Sequence, residues 1–110
     1  STVAMYNKEE WKKANPKLYK CVYTAYGDAI KWINSDKKAA AALFKRFTKS
    51  KLKLEDIEKM IGDPNEMVYS QTPERTMEFA KFMYSIGSIK NMPASWKDYY
   101  WENNYDQNGS

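Results

Sequence analysis

The side chains that could act as nucleophiles or as acid–base catalysts are few in this sequence. Its 110 residues include no histidine and one cysteine, Cys21. The Ser–His–Asp triad, the Cys–His pair and the usual zinc sites all require these side chains, so the sequence excludes them. Catalysis would fall to carboxylates, lysines or tyrosines alone. We therefore expect a protein that is not an enzyme and has no catalytic residues.

Cys21 has no second cysteine with which to form an intramolecular disulfide. It falls at helical spacing between Leu18 and Ala25, a position typical of a small apolar side chain in a core. No histidine is present to activate the thiol. The sequence therefore predicts that Cys21 is buried and unreactive.

The paired carboxylates occur where they stabilise helices. Glu9 and Glu10 open one predicted helix, and Glu55 and Asp56 open another. Acidic side chains in a first turn interact favourably with the positive end of the helix dipole. We interpret both pairs as structural rather than catalytic.

One acidic segment superficially resembles a calcium-binding loop. Asp63, Asn65 and Glu66 fall within one short stretch. The alternation of ligands and the closing bidentate glutamate of such a loop are missing. The sequence therefore predicts no metal site, and nothing in it indicates a cofactor.

The net charge suits a nucleic acid partner, but the type and distribution of the basic residues argue against one. Basic residues exceed acidic ones by 18 to 14, which gives a net charge of +4 and a pI near 9.0. All of the basic residues except Arg46 and Arg75 are lysines, and acidic residues are interleaved with them along the chain. Base recognition and bidentate phosphate contacts favour arginine. We interpret the lysines as solvated helix faces.

The aromatic residues admit two interpretations, core packing and stacking on a ligand. Helical spacing favours packing for one group, namely Tyr19, Tyr26, Trp32, Phe44, Phe47, Phe79 and Phe82. A second group near the end of the chain, Tyr99, Tyr100, Trp101 and Tyr105, is predicted to dock against the body of the protein. Asp98, Glu102 and Asp106 surround this second group, which disfavours stacking on single-stranded nucleic acid.

The spacing of the apolar residues and the positions of capping residues, prolines and glycines predict a mainly α-helical single domain over residues 1–110. About five helices and one or two short extended segments are expected. The expected helices are a short one that follows the Asn7 cap and ends at Asn15, one from Pro16 to about Asn34, one that follows the Ser35 cap and contains Leu43, Phe44 and Phe47, one from Leu54 to Ile61, one from Pro73 to Ile86, and a final short one from Trp96 to Trp101. Residues 1–6 are expected to be extended, and the polar residues 103–110 to be a frayed tail.

Capping residues set the expected helix ends. The predicted N-caps are Asn7, Ser35, Thr72 and Ser95, two of them in capping-box patterns, and Gly62 and Gly87 are the predicted stops. The third helix is expected to bury Leu43, Phe44 and Phe47, and the fourth Ile57, Met60 and Ile61. Pro16 and Pro73 suit the first turn of a helix.

Two helices carry only a narrow polar stripe. In the segments 16–34 and 73–86, apolar side chains cover most of the helix circumference. A chain of this length has too few residues to cover both helices along their whole length. We therefore expect apolar surface to remain, and to be hidden in a homodimer, by exchange of the N-terminal segment or by another fragment of a parent protein.

The segment from Thr72 to Trp101 resembles a known family. Its Thr-Pro helix start, apolar helix, Gly87 stop and Pro93-Ala94-Ser95-Trp96-Lys97-Asp98 motif are similar to the C-terminal end of the substrate-binding proteins of nitrate/sulfonate/taurine-type ABC transporters. The supporting matches are Trp11–Pro16, Ile33–Ala40, Leu54–Pro64 and Asn65–Ser70. Lys53 departs from the family, which usually has serine or threonine as this cap.

The resemblance implies the last part of a protein with two α/β lobes that close over a solute. Such a protein lies in the periplasm or is anchored to the cell envelope, and delivers a small anionic or heterocyclic solute to a membrane permease. Residues 1–6 resemble the crossover segment that returns near the cleft, and the motifs identify no ligand-binding residue. The alternative is a stand-alone helical domain that binds a protein partner through an aromatic and methionine surface.

Overall fold

The computed structural model of the chain describes residues 4–110. Helices take up 60% of this range, and it contains five α-helices and no strand, which confirms the mainly α-helical prediction. The helices are α1 (Glu9–Ala14), α2 (Pro16–Ser35), α3 (Lys37–Thr48), α4 (Leu54–Gly62) and α5 (Thr76–Ser85), followed by 3₁₀ helices at Trp96–Tyr99 and Glu102–Asn104. Residues 1–3 of the expected extended lead-in lie outside the described range, and residues 4–6 have no regular secondary structure.

The described residues form two compact units. The first, residues 8–70, contains α1 to α4, and the second consists of residues 4–7 with 71–110 and contains α5 and both 3₁₀ helices. We call them the α1–α4 unit and the α5 unit. The prediction of a single domain over residues 1–110 stays a prediction.

The junction between α1 and α2 is built on Asn15 and Pro16. The Asn15 side chain donates a hydrogen bond from Nδ2 to the Trp11 carbonyl at 3.0 Å, which closes the last turn of α1. Pro16 opens α2, where its missing N–H costs nothing. At the other end, α1 begins at Glu9 with Lys8 in the N-cap position, so the prediction of Asn7 as the cap is wrong by one residue.

The start of α3 also differs from the sequence-based prediction. Asp36 is the N-cap, and its Oδ1 accepts from the Ala39 amide at 2.9 Å. Ser35, the predicted cap, is instead the last residue of α2 and donates from its hydroxyl to the Trp32 carbonyl at 2.8 Å. A carboxylate is the stronger acceptor at a helix N-terminus because it also interacts with the helix dipole.

The core of the α1–α4 unit lies between α3 and α4. Ala41, Ile57 and Ile61 form its buried cluster, and Ile33 and Tyr69 pack against it. The burial of Ile57 and Ile61 confirms two of the three predictions for α4. The side chain at position 41 is small and has no exposed area, so α3 approaches α4 closely over its alanine face.

The predicted apolar face of α3 is wrong. Leu43, Phe44 and Phe47 are all exposed, and Ala40 and Ala41 are buried in their place. Met60 of α4 is exposed as well. Hydropathy ranks the large side chains above alanine, but the helix pairing is made over the small ones, because these permit the closest approach of two backbones.

The α5 helix begins later than its sequence predicts. Its first residue is Thr76, and Arg75 before it has a left-handed backbone with φ of 57°. Thr72 and Pro73, predicted to cap and open the helix, lie in non-helical chain, and Pro73 is buried. The other end agrees with the sequence, since Gly87 follows the helix with φ of 75°, where glycine avoids the strain of a Cβ.

The capping box at Ser95 is confirmed. The Ser95 hydroxyl accepts from the Lys97 amide at 3.3 Å, and Asp98 Oδ2 accepts from the amides of Ser95 and Ala94 at 3.1 and 2.8 Å. The helix that follows is a 3₁₀ helix ending at Tyr99, shorter than the predicted segment to Trp101. It places Trp96 in the core of the α5 unit, where it is 9% exposed.

The tail is bound rather than free at its end, although its polar composition suggested fraying. The Ser110 amide donates to the Pro73 carbonyl at 2.9 Å, and the Ser110 carbonyl accepts from the Thr76 amide at 2.6 Å. Gly109 lies directly against the Trp96 ring. These contacts are made by backbone groups, so the polar composition of the tail could not predict them.

Candidate interaction surfaces

The clearest exposed apolar surface of the α5 unit lies on α5 and on Ile86, the residue that caps its C-terminal end. Phe79, Phe82 and Ile86 recur at spacings of three and four residues and are 66%, 57% and 57% exposed. We call these three residues the α5 stripe. Ala80, 4% exposed, is the residue of α5 that is buried. Large apolar side chains aligned on one exposed face are typical of a surface that another structure covers.

The packing prediction for the aromatic residues is wrong for six of the seven named positions. Tyr26, Trp32, Phe44, Phe47, Phe79 and Phe82 are exposed, and Tyr19 is half-buried. The Tyr19 ring lies beside that of Tyr23, with centroids 6.5 Å apart, and the Lys12 ammonium is 5.2 Å from its centroid. Periodicity identified residues that share a face, but it carries no information on whether anything covers that face.

The exposed face of α2 includes Cys21, contrary to the prediction of a buried thiol. Its neighbours at helical spacing, Leu18 and Ala25, are exposed too. The three residues do share one face, as predicted, but that face is open. Gly27 is the buried residue of α2.

The aromatic residues near the end of the chain divide into two sets. Tyr100 and Tyr105 contact the Trp96 ring edge-on, with centroids 5.9 and 6.3 Å away. The Tyr105 hydroxyl donates to the Lys97 carbonyl at 3.1 Å, and the Lys97 ammonium lies 5.2 Å from the Tyr105 centroid. Tyr99 is 53% exposed. Within the α5 unit, Tyr100 and Tyr105 therefore support the Trp96 ring.

Two open depressions lie on the α1–α4 unit. The first, of about 440 Å³, is lined by Ala42, Lys45, Arg46, Lys49, Ser50 and Leu54. The Lys45 ammonium already donates to the Leu52 carbonyl. The second, of about 420 Å³, is lined by Lys37, Lys38, Glu55, Glu58 and Lys59, whose charges largely offset one another. Neither has the enclosed apolar lining typical of a solute pocket.

Two short ion pairs lie on the surface. Lys13 Nζ is 2.7 Å from Glu9 Oε1, and Arg75 Nη2 is 2.7 Å from Glu78 Oε2. The hydrogen bond from each base to its carboxylate, assisted by the attraction of opposite charges, raises the pKa of Lys13 and of Arg75. Both bases are already charged at neutral pH, so the raised pKa values leave their charge there unchanged.

Tyr69 packs against the core cluster of the α1–α4 unit. Partial burial against the core raises the pKa of Tyr69 above its ordinary value. Its hydroxyl donates to Met67 Sδ at 3.1 Å, and the Lys37 ammonium lies 4.6 Å from the ring centroid. The Tyr69 ring therefore contributes to the packing of the α1–α4 unit.

Residues 4–110 contain no group of three or more His, Cys, Asp or Glu side chains that could hold a metal ion. In the segment that resembles a calcium loop, Asp63 Oδ1 accepts from the Asn65 amide at 2.8 Å, and the Glu66 amide donates to the Asp63 carbonyl at 3.1 Å. Asp63 thus closes a turn after α4 with bonds to its own backbone neighbours. Within the same range, no helix is both long and apolar enough to cross a membrane.

Comparison of this chain with family models, with curated proteins and with solved structures gave no match. Its function is therefore argued from its motifs and from the exposed faces described above.

Proposed function

We propose that this chain is the C-terminal part of a solute-binding protein of the nitrate/sulfonate/taurine type. In such a protein a small anionic or heterocyclic solute is captured outside the cytoplasm and passed to the permease of an ABC transporter. The order of the motifs from Thr72 to Trp101 is the sequence basis of the proposal. The Ser95 capping box and the buried Trp96 within that segment support its reading as one structural motif.

The α5 stripe is the observation that carries the proposal. A complete domain of this size buries most of its large apolar side chains, whereas Phe79, Phe82 and Ile86 are more than half exposed. The buried hydrophobic residues in the described range are Ala40, Ala41, Ile57, Ile61, Ala80 and Trp96. A segment of a larger protein has exposed apolar faces of this kind, because in the whole protein the other residues cover them.

Most contacts to the solute would come from the other parts of such a protein. The chain by itself is expected to bind taurine, nitrate, alkanesulfonates and pyrimidine precursors no more tightly than about 10 μM, which corresponds to roughly 7 kcal/mol. Isothermal titration calorimetry with these solutes checks this expectation. Tighter binding would show a complete solute site within these residues and would contradict the proposal.

The coding sequence upstream of Ser1 tests the proposal most directly. We expect it to encode the other lobe, preceded by a secretion signal. When that segment is produced together with the present chain, the α5 stripe should become protected from hydrogen exchange and calorimetry should detect a solute. An independent start codon immediately before Ser1 would overturn the proposal.

The same stripe favours a second candidate, a stand-alone helical domain that binds a protein partner. In this case a homodimer is the simplest way to cover the stripe. Sedimentation equilibrium at micromolar concentration measures the oligomeric state, and Phe79→Ser with Phe82→Ser should convert a dimer into a monomer. Lys81→Ser, between them on α5, is the matched control.

Sedimentation also separates the two candidates when it is combined with the upstream sequence. A dimer that depends on Phe79 and Phe82, encoded by an independent reading frame, would favour the interaction domain. A monomer that binds a hydrophobic-surface dye would favour a segment whose cover is the rest of its own protein. A monomer that binds no such dye would contradict both candidates.

A further inference from the structure

Ser110, although distant in sequence, provides the hydrogen-bond acceptors that an N-cap residue would provide at the start of α5. Its hydroxyl oxygen accepts from the Arg75 amide at 3.0 Å, and its carbonyl accepts from the Thr76 amide at 2.6 Å. In an ordinary N-terminus, the side chain of the N-cap accepts from the third helical amide and its carbonyl from the fourth. If Thr72 were that cap, these amides would be the ones of Arg75 and Thr76.

The sequence does favour Thr72 as the cap. Threonine is a good N-cap, and Pro73 after it suits the first helical position. In the structure this start is not used, because the Thr72 hydroxyl donates to Gln107 Oε1 at 3.2 Å and the Pro73 carbonyl accepts from the Ser110 amide at 2.9 Å. In a helix capped by Thr72, the Pro73 carbonyl would instead accept from Met77.

Arg75 has a strained backbone in the observed arrangement. Its φ of 57° is a left-handed value that non-glycine residues seldom adopt. A helix that started at Thr72 would place Arg75 in the favourable right-handed region. The contacts of Gln107 and Ser110 therefore hold a local conformation that the residues 72–75 alone would not select.

The docked tail requires a glycine at position 109. A Cβ at this position would lie 2.7 Å from Cε2 and 2.8 Å from Cδ2 of Trp96. The indole is 9% exposed and has the rings of Tyr100 and Tyr105 at its edges. It cannot move aside easily, so a side chain at position 109 is incompatible with the docked tail.

We propose that residues 107–110 form a latch that selects the start of α5. With the latch docked, α5 begins at Thr76. With the latch released, Thr72 caps the helix, Arg75 leaves its left-handed conformation, and α5 gains one turn. The Arg75 and Thr76 amides and the Pro73 carbonyl have a hydrogen-bond partner in both arrangements, but a different one in each, as expected of a two-state element.

The test uses the full chain with Gly109→Ala and NMR. The expected result is a new nuclear Overhauser contact between Pro73 Hα and the Thr76 amide proton, three residues apart, together with loss of the positive φ of Arg75. Gly62→Ala is the matched control, because a Cβ there meets no atom within 4 Å and Gly62 has no positive φ. It should change neither signal.

Ser110→Ala tests the latch even if Gly109→Ala disturbs folding, and Thr72→Val tests the alternative cap. Ser110→Ala removes one of the two acceptors and should shift the same signals in the same direction by a smaller amount. Adding Thr72→Val to Gly109→Ala removes the alternative cap and should abolish the new contact. Unchanged amide signals of Ile57 and Ile61 will report that the α1–α4 unit stays folded.

Two results would overturn the latch. In the first, Arg75 keeps its positive φ in both Gly109→Ala and Ser110→Ala, so that the tail does not control the helix start. In the second, residues 73–75 take random-coil chemical shifts after release, so that no second helix start exists.

Discussion

The side chain of Asn34 donates a hydrogen bond from Nδ2 to the carbonyl of Tyr69, 35 residues later, at 2.9 Å. Asn34 lies in the last turn of α2, and Tyr69 lies in the chain without regular secondary structure after α4. Asn34 Oδ1 also accepts from the Lys37 ammonium at 3.0 Å. This one amide therefore connects the end of α2, the start of α3 and the segment that covers the core.

Asn34→Ala should destabilise the α1–α4 unit by about 0.5–1.5 kcal/mol, the usual net value of one hydrogen bond. The bond is exposed, so the lower half of this range is expected. Urea unfolding followed by circular dichroism measures the change. Asn91→Ala, at an exposed position in the α5 unit, is the control and should leave stability unchanged.

Tyr69 should make stability depend on pH in the alkaline range. Its pKa is raised in the folded state by burial, whereas an unfolded chain titrates near the ordinary value of about 10. The unfolded state therefore loses its proton first as pH rises, and ionisation favours unfolding. The stabilising contribution is complete below about pH 10 and is lost as pH rises through the folded pKa.

The difference between wild type and Tyr69→Phe isolates this contribution. The variant should unfold with a weaker pH dependence than wild type above about pH 10. Tyr6→Phe is the control, since Tyr6 is 95% exposed. Identical alkaline slopes for wild type and Tyr69→Phe would contradict the argument.

Trp96→Ala should cost about 3–5 kcal/mol, as expected for truncation of a large core side chain. Trp96 is 9% exposed and contacts Tyr100, Tyr105 and Gly109. Trp32→Ala provides the comparison, because Trp32 is 42% exposed and its loss should cost less. In urea unfolding, a loss below about 1 kcal/mol for Trp96→Ala would place the indole outside the core.

Lys49→Gly should stabilise the chain by about 0.5–1 kcal/mol, because glycine adopts the left-handed backbone without the cost of a Cβ. Lys49 follows α3 with φ of 52°. The control is Lys38→Gly in the first turn of α3, where the same change should destabilise by up to about 1 kcal/mol. Thermal unfolding of both variants checks that the two effects have opposite signs.

Local chemistry in the sequence was sufficient to predict most of the helical segments. Pro16 at the start of α2, Gly87 after α5 and the Ser95–Asp98 capping box all act between residues close in the chain. Such signals operate in the same way whatever surrounds them. The mainly α-helical class follows from them.

The buried residues were predicted only in part, since the burial of Ile57 and Ile61 is confirmed but that of the α3 residues is not. Hydropathy favoured Phe44 and Phe47 of α3, whereas the structure buries Ala40 and Ala41 there. An amphipathic pattern shows which residues share a face, but the choice of face depends on the contact made with another helix. The same limit explains why Cys21, Phe79 and Phe82 were predicted to be packed and are exposed.

The sequence by itself determined the helical class, the ends set by Pro16, Gly87 and Ser95, and the presence of apolar faces, because each depends on neighbours a few residues away. Only the tertiary structure decided the start of α5 and the contact of the tail with the Trp96 ring. The first depends on Ser110 and the second on Gly109, which lie far along the chain and act through backbone groups and the absence of a side chain. Contacts of this kind leave no periodic pattern in a sequence, so they become visible only when the chain is folded.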